Sequence, residues 1–200
     1  MATGASPTAA SGAAAGATSV GGNPALQRCA APLGTLAVDD GRGKDWYASF
    51  GAATKITTIE PLIRLAVQQS NCFVITSIGN NRTESKLSNI TDRQRNSGEF
   101  RAGSNQQKGQ RVATDYFLEP AIIIDNESPG KMGASLAGGL ESKASVVTLT
   151  MLDIRSGFQI GIAEGKATVA AFVDAYNSMV ISVRNYRAQD VKGGLGRVGC

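Results

Sequence analysis

The sequence predicts an α/β (α+β) fold with a mixed β-sheet, and three observations point to it. A helical stripe that begins at Ile59 lies between two short apolar runs, 33–38 and 72–76, which is typical of a parallel strand–helix–strand (βαβ) unit. Residues 146–163 alternate in polarity around a turn and predict a β-hairpin. A second helical stripe over 168–187 predicts a long C-terminal helix packed on the sheet.

The strand–helix–strand unit is expected to nucleate the domain. Thr58 is a suitable N-cap for its helix, and Glu60 brings a carboxylate to the first turn, where it favours the helix dipole. The apolar residues recur at the spacing of one helical face: Ile59, Leu62, Ile63, Ala66 and Val67. The run 72–76 follows without a polar break, as expected for a strand buried on both faces.

Between these elements the sequence predicts a further helix, a loop and a central strand. The helix covers 83–94, with Leu87 and Ile90 facing inward and the charges outward. A polar, glycine-containing loop follows over 96–110. The central strand includes 121–124, and Pro120 is expected at its entry because proline cannot donate to the ladder.

The two ends of the chain differ in composition from the middle. Residues 1–31 consist mainly of Ala, Gly, Ser and Thr, so they cannot bury enough apolar surface to offset their ordering entropy. We expect a disordered, flexible tether there. The folded domain is expected over 32–188 and a flexible, glycine-rich tail over 189–200.

The residue types present argue against an enzyme. The chain has three cysteines and no histidine, which excludes Ser-His-Asp and Cys-His catalysis and the usual zinc sites. We therefore expect no catalytic residue, no cofactor and no metal. One alternative is a calcium site or a carboxylate enzyme built on Asp39, Asp40 and Asp45. A turn made of Asp and Gly is the commoner explanation of that stretch.

Residues 77–111 carry the whole charge surplus of the chain, which is +4. This segment contains seven basic and three acidic residues. A phosphate-binding patch is one interpretation, and a solvated helix and loop is the more common one. Phe100 is the one aromatic residue in the segment, so stacking on single-stranded nucleic acid is not supported.

Three aromatic residues, Trp46, Tyr47 and Phe50, cluster ahead of the strand–helix–strand helix, in a loop or a first helical turn. Such residues usually pack in the core. If they are exposed, they mark a contact surface.

The order of elements and several local strings resemble the curli-secretion channel (CsgG/HfaB-like) family of bacterial outer-membrane lipoproteins. The resemblance covers roughly residues 33–187, and no single string is diagnostic. The matching strings are 47–50 (YASF), 65–73 (LAVQQSNCF), 87–94 (LSNITDRQ) and 153–157 (DIRSG).

The resemblance implies a non-enzymatic periplasmic domain that forms a homo-oligomeric ring and serves export or assembly of curli-like surface material. It also implies attachment to the outer membrane through an N-terminal lipid that this chain lacks, so residues 1–31 would be the tether. The partners would be other copies of the chain and an envelope or secreted protein, and no nucleic acid. The alternative is a monomeric periplasmic binding domain that contacts peptidoglycan or another envelope protein.

The resemblance also assigns roles to particular residues. Tyr47 and Phe50 match positions that line the family's pore constriction, and Trp46 lies beside them; the family's asparagine is missing. The alternative is that all three rings pack inside their own subunit. Family pores insert two β-hairpins into the membrane: the first would fall within 128–144, and no room remains for the second after Ala163.

A disulfide between Cys29 and Cys72 is expected. Both residues lie at the starts of strands that a parallel crossover brings side by side, and an oxidising periplasm permits the bond. Cys200 would remain a free thiol in the C-terminal tail.

Overall fold

The computed structural model of the protein describes residues 10–13, 19–54, 59–124, 145–166 and 169–193. Within these ranges the chain forms four helices and five strands, which confirms the expected α+β class. Their order is β1 (Thr35–Val38), α1 (Asp45–Thr54), α2 (Glu60–Ser70), β2 (Val74–Ile75), α3 (Asn81–Asn96), β3 (Tyr116–Ile124), β4 (Ser145–Asp153), β5 (Gln159–Lys166) and α4 (Val169–Gly193).

The five strands form one mixed sheet in the order β2-β1-β3-β4-β5. β1 is parallel to both of its neighbours, with Leu36 opposite Ile75 on one side and Tyr116 on the other. β3, β4 and β5 are antiparallel. The sheet therefore combines the parallel crossover expected for residues 33–76 with the hairpin expected for 146–163. The burial on both faces expected for the strand in 72–76 is wrong, because β2 is an edge strand and both of its residues are half-buried.

The core lies between one face of the sheet and the helices α2 and α4. Its fully buried members come from both sides of that layer: Leu36, Val38, Val67, Tyr116, Leu118, Leu149, Met151, Tyr176, Met179, Val180 and Val183. Gly161 allows α4 to approach β5, because a Cβ atom there would lie 3.2 Å from the Ser182 Cβ. A polar contact inside the core joins the two helices, with the Ser70 and Tyr176 hydroxyls 2.7 Å apart.

Some element boundaries differ from those expected. Pro120 lies in the middle of β3, opposite Leu149, and not at the strand entry. β1 ends at Val38, opposite Leu118, so beyond that point β3 pairs on one side only and a residue without an N–H is tolerated. Thr58 lies outside the described residues, and Ile59 occupies the N-cap of α2 without a side-chain cap.

The described part of the expected N-terminal tether is fixed to the domain. The amide of Asn177 on α4 bonds to the chain on both sides of Leu26, donating to the Ala25 carbonyl (2.8 Å) and accepting from the Gln27 N–H (2.7 Å). Leu26 is only 4% exposed in the core. Residues 19–31 are thus held by a few specific contacts that their composition does not reveal, and α4 itself extends past 188 to Gly193.

The expected disulfide between Cys29 and Cys72 is present. Cys29 precedes β1 and Cys72 precedes β2, so each cysteine lies in the segment that leads into its strand and not at the strand start. The Cys29 N–H donates to the Ser70 carbonyl (3.0 Å) and the Leu33 N–H donates to the Cys72 carbonyl (2.7 Å). The bond therefore links the N-terminal segment to the end of α2.

Replacing both cysteines should destabilise the fold, because the disulfide closes a loop with a sequence separation of 43 residues. In the chain-entropy model, Cys29→Ser with Cys72→Ser should lower the free energy of unfolding by about 4 kcal/mol. Urea denaturation measures this loss, and Cys200→Ser is the matched control that should leave the midpoint unchanged. Thiol titration of the denatured wild type should find one free thiol per chain, and a count of three would contradict the pairing.

Alkaline pH should destabilise the protein through Tyr176. Burial raises the pKa of its hydroxyl well above the usual range, so the folded state keeps the proton that the unfolded chain loses at about pH 10. The contribution of Tyr176 to the free energy of unfolding is complete below pH ~10. Above that pH it falls, with a slope of up to about 1.4 kcal/mol per pH unit. Urea melts across this range should give a shallower slope for Tyr176→Phe than for the wild type. Equal slopes would mean that burial does not raise the pKa of the Tyr176 hydroxyl in the folded state.

Candidate interaction surface

The three aromatic residues predicted to form a contact or constriction surface come together on the first turns of α1. A turn at Gly41, with φ of 69°, precedes this helix, and the Trp46 ring packs against it. A Cβ atom at Gly41 would lie 2.5 Å from that ring. The ring centroid of Trp46 is 5.8 Å from that of Tyr47 and 6.2 Å from that of Phe50. We expected these residues in a loop or in a first helical turn, and the structure places them in a helix.

The burial of the three rings is unequal. Phe50 is only 9% exposed within its own chain, whereas Trp46 and Tyr47 are half-buried. α1 packs on β3, so Phe50 contributes to the contact between helix and sheet. This favours packing inside the subunit for Phe50. The role of Trp46, Tyr47 and Phe50 in lining a lumen stays a prediction.

The carboxylates of the Asp39–Asp45 stretch stabilise their own turn. Asp39 accepts a hydrogen bond from the Gly41 N–H and Asp40 from the Arg42 N–H, both at 3.1 Å. Lys44 pairs with Glu119 on β3, and that hydrogen bond raises the pKa of Lys44. In the described ranges, no three Asp, Glu, Cys or His side chains are grouped as a metal ion would need. The hydrogen bonds that Asp39 and Asp40 accept from their own turn agree with the turn interpretation of this stretch.

A second surface, which the sequence did not identify, is the side of β4 and β5 that faces away from α4. Leu149, Met151 and Gly161 point toward α4, so their neighbours Thr150, Leu152 and Ile162 point the other way. Ile162 on β5 and Ile123 on β3 are each 62% exposed there. We call this side, formed by 146, 148, 150 and 152 of β4, Ile162 and Glu164 of β5, and Ile123, the open face.

The open face ends at the edge strand β5, whose charged residues are Glu164 and Lys166. β5 is the last strand of the sheet, so one side of its backbone has no strand partner among the described residues. An edge strand of this length is a template for pairing with another chain unless charges or bulges protect it. The register shift between Met151 and Leu152 lies on the opposite side of β5, where it pairs with β4.

A third surface is α3 with the loop that follows it, residues 81–111, which we call the basic arm. Asn80 caps the helix by accepting a hydrogen bond from the Thr83 N–H (3.0 Å). The loop folds back onto the helix through Arg95, which donates to Gln106, and Arg111, which donates to Thr91. No residue of α3 is buried, and the helix makes at most marginal contact with the other described elements.

The inward orientation expected for Leu87 and Ile90 is wrong. Leu87 is 38% exposed and Ile90 is 52% exposed, since no described element packs on that side of α3. The seven basic residues of the arm are all exposed, and none forms an ion pair with another described residue. The sequence had revealed this charge surplus but not that the helix itself stands away from the core.

The place expected for a first membrane hairpin, residues 128–144, lies outside the described residues. β5 ends at Lys166 and α4 begins at Val169, which agrees with the lack of room for a second hairpin. Of the helices in the described ranges, none is both long and apolar enough to cross a membrane. Models of known protein families do not match the sequence, and neither do curated proteins.

Truncating Phe50 and Tyr47 should have unequal effects on stability. Phe50→Ala should cost about 3–5 kcal/mol of unfolding free energy because it removes a buried ring and leaves a cavity. Tyr47→Ala should cost clearly less, since part of that ring is already in solvent. Urea denaturation of the two variants makes the comparison. A near-wild-type midpoint for Phe50→Ala would favour a lumen position for this ring.

Proposed function

We propose that this chain is a non-enzymatic, CsgG-like domain of the bacterial cell envelope. It self-associates into a cyclic homo-oligomer and serves the export or assembly of curli-like surface material. The observation that carries the proposal is the open face and its edge strand β5, one side of which has no strand partner in the part of the chain that the structure describes. A surface of this kind normally lies against another protein.

The order of the described elements supports the proposal. The elements follow the order on which the resemblance to the family is based: strand, helix, strand, helix, strand, hairpin and helix. α1 is an additional helix between the first strand and α2. The Cys29–Cys72 disulfide fits an oxidising compartment such as the periplasm. An N-terminal lipid would attach the domain to the outer membrane.

Self-association would protect the apolar and backbone groups that the open face exposes. Ile123 and Ile162 would be removed from water, at about 25 cal/mol for each Å² of apolar surface that is buried. A head-to-tail contact made with β5 would use different patches on the two copies. Such heterologous contacts close into a ring when the rotation permits and otherwise extend as a filament. The first turn of α1, with Trp46 and Tyr47, would then face the interior of the ring.

A matched pair of substitutions tests the open face as the contact between copies. Ile162→Lys introduces a charge on that face, whereas Ile181→Lys does the same at a 49% exposed position of α4. We expect native mass spectrometry to give a multiple of the 20.7 kDa chain mass for the wild type and for Ile181→Lys. Ile162→Lys should give mainly monomer.

Three results would contradict the proposal in different ways. A monomeric wild type would remove self-association and favour a monomeric binding domain that contacts peptidoglycan or another envelope protein. An oligomer that Ile162→Lys leaves intact would move the contact away from the open face. An equal loss of mass in both variants would mean that any added charge disrupts assembly.

A further inference from the structure

Among the described residues, α3 lacks the packing that normally stabilises a helix. It contains 16 residues, none of them buried, and its two apolar residues Leu87 and Ile90 are in contact with solvent. Isolated helices of about this length are marginal in water, because nucleation is costly and most helical stability in proteins comes from an apolar face packed on something else. A surface that covers α3 would supply the missing packing.

The outer side of this helix carries a stripe of positive charge. Arg82, Lys86 and Arg93 lie at i, i+4 and i+11, which brings them within about 40° of one another around the axis and spreads them over about 16 Å. The half-buried residues Glu84, Ser88 and Thr91 occupy the opposite side. The stripe therefore points away from the domain, with Ile90 about one fifth of a turn to its side.

The distribution of charge argues against a second copy as the partner of this stripe. Seven of the 20 Lys and Arg residues and three of the 16 Asp and Glu residues lie in 77–111. The rest of the chain thus holds thirteen charges of each sign and is neutral overall. Another copy offers no net negative surface, so charge complementarity favours an anionic partner of a different kind.

We propose that the basic arm docks on an anionic phospholipid surface. Three features fit a planar layer of phosphate headgroups better than a defined protein groove. The stripe is straight, it lies on a helix that makes at most marginal contact with the other described elements, and the exposed side chain of Ile90 lies beside it, where it can enter the headgroup region. Phe100 is a further exposed apolar side chain, in the loop that follows the helix. Nucleic acid fits less well, because aromatic residues are not interleaved with the basic ones. This docking goes beyond the proposed self-association and does not depend on it.

Vesicle co-sedimentation tests the proposal. The full chain should bind vesicles that contain phosphatidylglycerol, should leave vesicles of phosphatidylcholine alone unbound, and should be released as salt screens the charges. Arg82→Gln with Arg93→Gln should weaken partitioning about 30-fold, which corresponds to two basic residues near a charged surface. Arg42→Gln with Arg155→Gln removes the same charge from exposed residues elsewhere and should bind like the wild type.

Several outcomes would overturn the proposal. Failure of the wild type to bind phosphatidylglycerol vesicles would end it. An equal loss in both double variants would mean that net charge, and not the stripe, attracts the protein. Soluble polyglutamate that binds the arm as tightly as the vesicles do would identify an acidic protein segment as the partner. Thermal melts of Arg82→Gln with Arg93→Gln should match the wild type, because both side chains are exposed and neither forms an ion pair with another described residue. The control variant loses the ion pairs of Arg42 with Asp40 and of Arg155 with Asp115, so its melting temperature should fall slightly while it remains folded at the assay temperature.

Discussion

The fold depends on a small buried junction around Ser70, where four parts of the chain meet. The Tyr176 hydroxyl of α4 contacts the Ser70 hydroxyl (2.7 Å), which also accepts a hydrogen bond from the Cys72 N–H (3.0 Å). The Ser70 carbonyl accepts the Cys29 N–H (3.0 Å), and the disulfide closes the same junction covalently. The Ser70 hydroxyl also donates to the Val67 carbonyl (2.6 Å). Because these buried polar groups satisfy one another, separating α2, α4 or the N-terminal segment from this junction would leave some of them without a partner in the core.

This junction fixes which face of the sheet is covered. With α2 and α4 both on one side, that side becomes the core, and the other side is left to α1, which packs on β3. β4 and β5 are then apolar on the core side. On the other side the β4 residues are half-buried and Ile162 and Glu164 of β5 are exposed, and α3 remains outside both layers. The open face and the basic arm are thus left accessible to partners because of where the helices pack.

The sequence predicted the elements whose burial is set by regular periodicity. The stripe of α4, the alternation of 146–163 and most of the α2 stripe reach into the core as expected, because each pattern repeats over several turns or residue pairs. Leu62, which was expected on the buried face of α2, is 49% exposed. The errors arise where a single contact decides the outcome. Pro120 is tolerated because β1 ends early, and Leu26 is buried because Asn177 holds the chain beside it. Leu87 and Ile90 have the spacing of one helical face. Such spacing predicts which side of a helix is apolar, but it does not predict whether another part of the chain packs on that side.

The two proposed surfaces differ in chemistry, and this difference makes them compatible in one assembly. The open face would hold copies together through apolar side chains and strand edges. The basic arm carries exposed charges that a neighbouring copy, which is neutral outside its own arm, does not neutralise. In a cyclic oligomer the rotational symmetry turns every arm toward the same side. Each arm alone would bind an anionic surface weakly and reversibly. Once one arm is bound, the others are held at a high effective concentration near the same surface, so the ring as a whole would remain attached without any further contact.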